Sequence, residues 1–294
     1  MRSEARLGWA LTLPALAALA VVAVVPIAWT VWDSLHVHDL RMPWLGRPFV
    51  GVANYVEAFS NARFWGAMAH TALFTTVTVA LELIAGLIIA LLVDRVTRGR
   101  DLVRTVVLLP WAIPTVVVAL VWRFLFENPA GLVNDLLFRL GISPPTWFAD
   151  ATAAWVPLML ADAWKMTPFV AVLLLAGLQS IDRSLYDAAR MDGAGWGRQL
   201  TGITLPLLRP ALLVAFLFRT LDAFRVFDVI YVMTGGGPGT ATEPIALLTF
   251  SMLLQNLRFG AGAALSIIVF ASSFVLAVIC IRLLGREVLL ERAR

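Results

Sequence analysis

Four charged residues recur at every third position of one apolar stretch: Arg219, Asp222, Arg225 and Asp228. On a single helix, side chains three apart can pair, and this set sums to zero charge. Two chemistries fit the pattern. One is a ladder of internal ion pairs that locks the helix to its neighbours; the other is a polar stripe that hydrogen-bonds the hydroxyls of a passing solute. Both readings stay open, and both can hold at once. Phe218, Phe224, Phe227 and Tyr231 offer ring faces nearby, although aromatic side chains in such a stretch more often simply pack. Glu82, Asp162 and Lys165 are further charges inside apolar runs.

A second constellation is a polar island, Asp187-Ala188-Ala189-Arg190-Met191-Asp192-Gly193-Ala194, followed by Ile203-Thr204-Leu205-Pro206. Ser184 with Asp187 has the spacing of a capping box, which predicts a helix start. Gly193 tolerates the left-handed conformation that ends a helix. A second helical stretch carries Trp196, Leu200 and Ile203 on one face, and Pro206 and Pro210 are expected to close it. A helix of about eight residues is not stable alone in water, so this one must dock on something.

Other chemistries find no support. A phosphate-binding loop needs Gly-Lys-Ser/Thr, and the chain's single lysine, Lys165, stands in Trp164-Lys165-Met166-Thr167-Pro168. The glycine run Gly235-Gly236-Gly237-Pro238-Gly239 lacks a lysine and reads as a tight turn. Cys280 is the only cysteine, which excludes a disulfide framework and a cysteine metal site. His36, His38 and His70 are scattered, and no metal site is expected.

These residues need an apolar frame. The chain has 294 residues, 60% hydrophobic and only 14% charged, with a mean hydropathy of +0.85. That is an integral membrane composition, and the basic balance reflects orientation across a bilayer rather than nucleic acid. Six spans are expected. They cover residues 7–32, about 67–93, about 102–122 with kinks at Pro110 and Pro114, about 153–178, about 210–233 and 260–281. The first reads as a span, since it is long for a signal peptide and lacks a clear cleavage site. Residues 244–257 are apolar but too short to span, so they read as an interfacial or re-entrant helix. No internal repeat and no long linker is evident, so the chain reads as a single all-α transmembrane domain, 1–294, with residues 181–209 as a loop within it.

Charge then orients the frame. One side holds Arg2, Arg6, Arg95, Arg98, Arg100, Arg104, Arg183, Arg190, Arg198, Arg209, Arg282, Arg286, Arg292 and Arg294, fourteen of the 23 basic residues. The other side's loops hold Arg41, Arg47, Arg63, Arg139 and Arg258, with Arg123 at a span end. The positive-inside rule makes the first side cytoplasmic, with both termini and the 181–209 loop.

The spacing Asp187-Ala188-Ala189, Gly193, then Ile203-x-Leu205-Pro206 resembles the loop by which permeases of ATP-binding-cassette importers dock onto their ATPase. Asp187 stands where that family usually has glutamate, which keeps the charge and shortens the reach. Gly51-Val52-Ala53-Asn54-Tyr55 is similar to a stretch after the first span of sugar permeases. The run from Leu221 through Thr234-Gly235-Gly236-Gly237-Pro238 resembles a span of the maltose- and trehalose-type group, first permease subunit. The resemblance implies six spans in a bacterial inner membrane and alternating access. It implies that Asp187, Ala188, Ala189, Asp192, Gly193, Ala194, Ile203, Leu205 and Pro206 couple to the ATPase. A solute route would run past Lys165, Met166 and Phe169 on one helix and Asp222, Ala223, Arg225, Val226 and Asp228 on another. Implied partners are a second permease subunit, two ATPase subunits that bind the ATP and Mg, an extracytoplasmic solute-binding protein, and a di- or oligosaccharide. The chain itself is expected to bind no cofactor and to be no enzyme. The alternatives are an ion-coupled secondary sugar transporter, or a permease for another solute such as glycerol phosphate.

Overall fold

A computed structural model describes residues 2–96 and 98–291. Arg292 and Arg294, counted in the charge bias, lie outside the described residues. The helices, in chain order, are α1 (Arg2–Leu19), α2 (Val25–Ser34), α3 (Ala53–Ser60), α4 (Ala62–Asp94), α5 (Arg100–Ala112), α6 (Thr115–Leu125) and α7 (Leu132–Arg139). They continue as α8 (Trp155–Gln179), α9 (Arg183–Met191), α10 (Trp196–Gln199), α11 (Leu205–Ala223), α12 (Asp228–Met233), α13 (Ile245–Phe250) and α14 (Phe259–Glu291). No strand occurs among the described residues.

Five helical runs are long and apolar enough to cross a membrane: Thr12–Ser34, Ala62–Asp94, Trp155–Gln179, Trp196–Ala223 and Phe259–Arg282. The pair α5 and α6, bent by 85°, makes a sixth. The expected all-α, six-span frame is therefore present, with two corrections. The third span is not kinked but broken, because the residue before a proline avoids helical geometry: Ile113, ahead of Pro114, is extended at ψ 135°. Pro110 sits inside α5 without breaking it.

The fifth span also differs. Pro206 and Pro210 do not close a helix. The run continues from α10 through a π turn, Leu200–Thr204, into α11. In that wider turn the Leu205 amide bonds the Leu200 carbonyl, and the ring of Pro206, which has no amide hydrogen, comes directly after it. The run then stops at Ala223 and resumes as α12 only at Asp228.

The described chain divides into two compact units. One runs to Trp65 and includes Leu248–Ser272; the other holds Gly66–Leu247 and continues from Ser273. In the first, the Gly51–Tyr55 stretch folds its loop back on the end of α2. Asn54 Nδ2 donates to the Ser34 and His36 carbonyls at 2.8 and 3.0 Å, and the Tyr55 hydroxyl meets Ser34 Oγ at 2.7 Å. His38 Nδ1 lies 2.9 Å from the Asp33 carboxylate, and His36 Nδ1 lies 2.6 Å from the Trp32 carbonyl, so each imidazole has a structural partner. A hydrogen bond from the Arg41 guanidinium holds the Asp39 carboxyl well below the usual range, at about 2. Arg258 adds its charge and also reaches Glu57 at 2.7 Å.

In the second unit α8 is central, packing against α5, α6, α11 and α12. Its C-terminal half meets α4 and α11 in a core that includes Ala90, Val93, Val170, Leu174, Leu178, Leu208 and Ala215. Small residues allow the closest approaches, as packing between membrane helices demands. A Cβ on Gly86 would lie 2.6 Å from Val170 Cγ1, and one on Gly177 would lie 2.6 Å from Ala211 Cβ.

Candidate functional site

The polar island forms a short helix, α9, framed by two hydrogen-bonded ends. Its N-cap is Asp182 rather than Ser184: the chain is extended at Asp182, whose carboxylate accepts from the Ser184 amide at 2.9 Å. The capping box expected from Ser184 and Asp187 is thus displaced, and Asp187 instead pairs with Arg190 at 3.1 Å on an exposed face. Such a surface pair contributes little. The C-terminal end is as expected. Gly193 has φ +73°, its amide bonds the Arg190 carbonyl at 3.0 Å, and the Ala194 amide bonds the Ala189 carbonyl at 2.8 Å.

The exposed surface of α9 carries apolar side chains beside Arg183, Ser184, Asp187 and Arg190. Leu185 and Met191 are 44% and 89% exposed, with exposed Ala188 between them at helical spacing. These side chains are left without a covering neighbour in this chain. Leu185 was not among the residues singled out in the sequence, and Met191 stood there only as part of the polar island; an i, i+3, i+6 apolar count over 185–191 would have found both. Gly193 and Asp192 are exposed beside them, whereas Ala189 and Ala194 are half-buried.

Behind α9, a cleft of about 860 Å³ is lined by the end of α4 (Leu91, Asp94) and Arg95 just after it, the end of α8 (Leu178, Gln179) and Tyr186, Trp196, Leu200 and Thr204. Arg95 lies over the Trp196 ring at 5.7 Å. The Tyr186 hydroxyl meets Thr204 Oγ1 at 3.0 Å, tying α9 to the π turn. Ile203 packs on the core from that turn, and Leu205 and Pro206 are half-buried just after it. The Ile-x-Leu-Pro segment therefore roots the loop, while α9 presents it.

The charges within the spans form a different object from the expected stripe. Only Arg219 and Asp222 share a helix; Arg225 falls in the break after α11, and Asp228 starts α12. Arg219, 1% exposed, donates to Glu82 at 2.5 and 2.7 Å, to Asp162 at 3.1 Å, and also to Asp222. This cluster ties α4, α8 and α11 together. Arg225 does not extend it: its Nε donates to the Leu221 carbonyl at 3.1 Å and its side chain is exposed. The ladder reading survives for one rung and acquires two partners, Glu82 and Asp162, that the spacing could not reveal. The remaining signal was that each lay alone among apolar neighbours, which calls for a partner.

The other residues of the implied solute route are dispersed. Lys165, 9% exposed, donates to the Trp111 and Ile113 carbonyls at 3.1 and 2.8 Å. Phe169 stacks on Trp111 with centroids 5.9 Å apart, and Met166 is half-buried. Ala223 and Val226 are buried, while Asp222 and Asp228 are exposed on this chain. No group of three or more metal-ligating side chains converges among the described residues.

The profile of binding-protein-dependent transport system inner membrane components matches residues 82–288. A trehalose/maltose transport system permease protein of Thermococcus litoralis is 44% identical over 268 residues, covering 91% of this chain and 90% of the relative. A trehalose transport system permease protein of Mycobacterium tuberculosis is 38% identical over 283 residues, covering 96% of this chain and 90% of the relative. Among solved structures, a chain of a bacterial alginate transporter, in complex with a periplasmic protein bound to an alginate pentasaccharide, aligns with a TM-score of 0.82. Its identity is 22%, over 97% of this chain and 96% of that one, so it speaks for the fold. The matched residues run from Glu82 in the charge cluster through α9 and its Gly193 stop, and this chain belongs to the family of binding-protein-dependent transport system inner membrane components, as a multi-pass permease subunit whose ATP hydrolysis resides on separate subunits.

Proposed function

We propose that this chain conducts a di- or oligosaccharide across a bacterial inner membrane as one half of an importer's pathway. The observation that carries the coupling part is α9: a short capped helix turns Leu185, Ala188 and Met191 outward on the side where arginines concentrate. That face suits an ATPase subunit, and with one such helix per permease, a second permease subunit and two ATPase subunits complete the assembly. ATP and Mg are bound by the ATPases. An extracytoplasmic solute-binding protein delivers the sugar to the opposite face. The relatives' names support a sugar as the solute.

In this reading Asp187, Ala188, Asp192 and Gly193 face the ATPase, while Ala189, Ala194, Ile203, Leu205 and Pro206 hold the loop to the spans. The exposed groups Asp222, Arg225 and Asp228 at the α11–α12 break, with Met166 and Phe169 on α8, line the sugar's route; Ala223 and Val226 shape it from behind.

Orientation is checked by single cysteines at Arg98 and Gly195 in a Cys280→Ser background. Both should stay unlabelled by impermeant thiol reagents in intact cells, whereas a cysteine at the exposed Phe138 on α7 should label. Labelling of the first two from outside would reverse the assignment.

Coupling is checked at Gly193. Its φ of +73° costs a β-branched side chain about 1–2 kcal/mol or more. Gly193→Val should still insert, because an added Cβ meets nothing within 4 Å. Uptake should nevertheless fall about tenfold or more, through weakened ATPase association. Normal sugar-stimulated ATP turnover in the reconstituted variant would remove α9 from the coupling role.

A further inference from the structure

The α5–α6 bend leaves backbone groups that the helices themselves do not satisfy. Pro114 has no amide hydrogen, and Ile113 is extended. The Val117 amide, which in an unbroken helix would bond the Ile113 carbonyl, bonds that of Pro114 instead at 3.0 Å. Within a membrane span, a carbonyl turned out of its helix needs a donor from the protein. The chain's single lysine supplies it: Lys165 Nζ donates to Trp111 O at 3.1 Å and to Ile113 O at 2.8 Å. One turn further along α8, Phe169 stacks on Trp111. Three residues earlier, Asp162 holds Arg219 at 3.1 Å. A single unbroken helix thus grips the α5–α6 break with one side chain and the charge cluster with another.

The bend matters because it aims α6. That helix packs against α12, and Arg123 in its last turn donates to the Val232 carbonyl at 3.2 Å. The angle between α5 and α6 therefore sets where the α6–α12 pair lies. We propose that Lys165 is a positioning residue of the transport cycle: its ammonium caps the two carbonyls opened by the α5–α6 break and fixes the bend, rather than binding solute. The transport part rests on the permease reading above; the bend itself does not.

The test uses the assembled transporter in lipid nanodiscs, with spin labels on cysteines at the exposed positions Val106 and Val121, in a Cys280→Ser background. With Lys165 present, one narrow distance distribution is expected across the bend. Lys165→Met keeps the length and removes the donors, so the distribution should broaden or shift. Transport per complex at saturating loaded binding protein should fall about tenfold, with half-saturation held within about twofold. Lys165→Arg, which keeps charge and donors, should recover most of both. If the methionine variant does not assemble, Lys165→Gln replaces it, and a partial broadening is expected. An unchanged distribution in the methionine or glutamine variant overturns the proposal. So does a shifted half-saturation or sugar preference at an unchanged bend, which would make Lys165 a solute ligand. A bend that broadens in the methionine variant, in a complex that transports no sugar even with Lys165 intact, would sink the sugar reading and leave the bend proposal standing.

Discussion

Arg219→Met is expected to abolish accumulation of the assembled subunit. The guanidinium is 1% exposed and answers three carboxylates on three helices, of which Glu82 is fully buried. Removing one partner of a buried pair costs about 3–5 kcal/mol, because the remaining charge keeps its desolvation without its counter-ion. Here two acids inside the bundle, Glu82 and Asp162, lose their cation at once. Arg219→Lys keeps the charge but not the planar fork that meets both Glu82 oxygens, so it should fall between. Asp222→Asn should be far milder, since that carboxylate is 57% exposed and solvent screens it. The measurement is the amount of detergent-extracted complex and its thermal midpoint. Arg219→Met assembling at normal level and midpoint would reduce the cluster to an incidental contact.

Gly177→Leu is expected to uncouple transport while leaving the membrane frame standing. Even a Cβ at this position would lie 2.6 Å from Ala211 Cβ and 2.8 Å from Leu208 Cδ1, and Leu208 is fully buried. The Ala211 Cβ is fixed to its backbone and cannot rotate away, so α8 and α11 must separate. Overpacking of this kind costs about 1–3 kcal/mol. The greater effect is geometric: α8 leads into α9, and α11 continues from the π turn that Tyr186 bonds, so the loop's two roots spread together. Uptake should fall about a hundredfold, with ATP turnover no longer responding to loaded binding protein. Gly177→Ala should show a smaller loss in the same direction. Wild-type coupling in Gly177→Leu would mean that the α8–α11 contact carries no motion.

The sequence by itself determined the features that depend on short-range rules. Apolar runs against a fixed bilayer thickness fix the number of spans. Gly193 ends α9 because a residue tolerant of positive φ is needed there. The loop's spacing and the Leu221–Pro238 run carried the family resemblance unaided.

Tertiary structure alone decided which charges meet. Arg219 finds Glu82 137 residues away and Asp162 57 residues away, while the neighbour that spacing favoured for Asp222, Arg225, turns to a backbone carbonyl. Local periodicity assumes an unbroken helix, and the break at 224–227 removes that assumption. The same holds at Ile113, where the preference of a residue before proline, free to act in a span, turned an expected kink into an 85° bend and gave Lys165 its two carbonyls. The cap at Asp182 and the exposed apolar side chains of α9 also depend on where the chain leaves α8. Long-range pairing is selected by packing, because a buried charge takes whichever opposite charge the close helix contacts at Gly86 and Gly177 bring within reach.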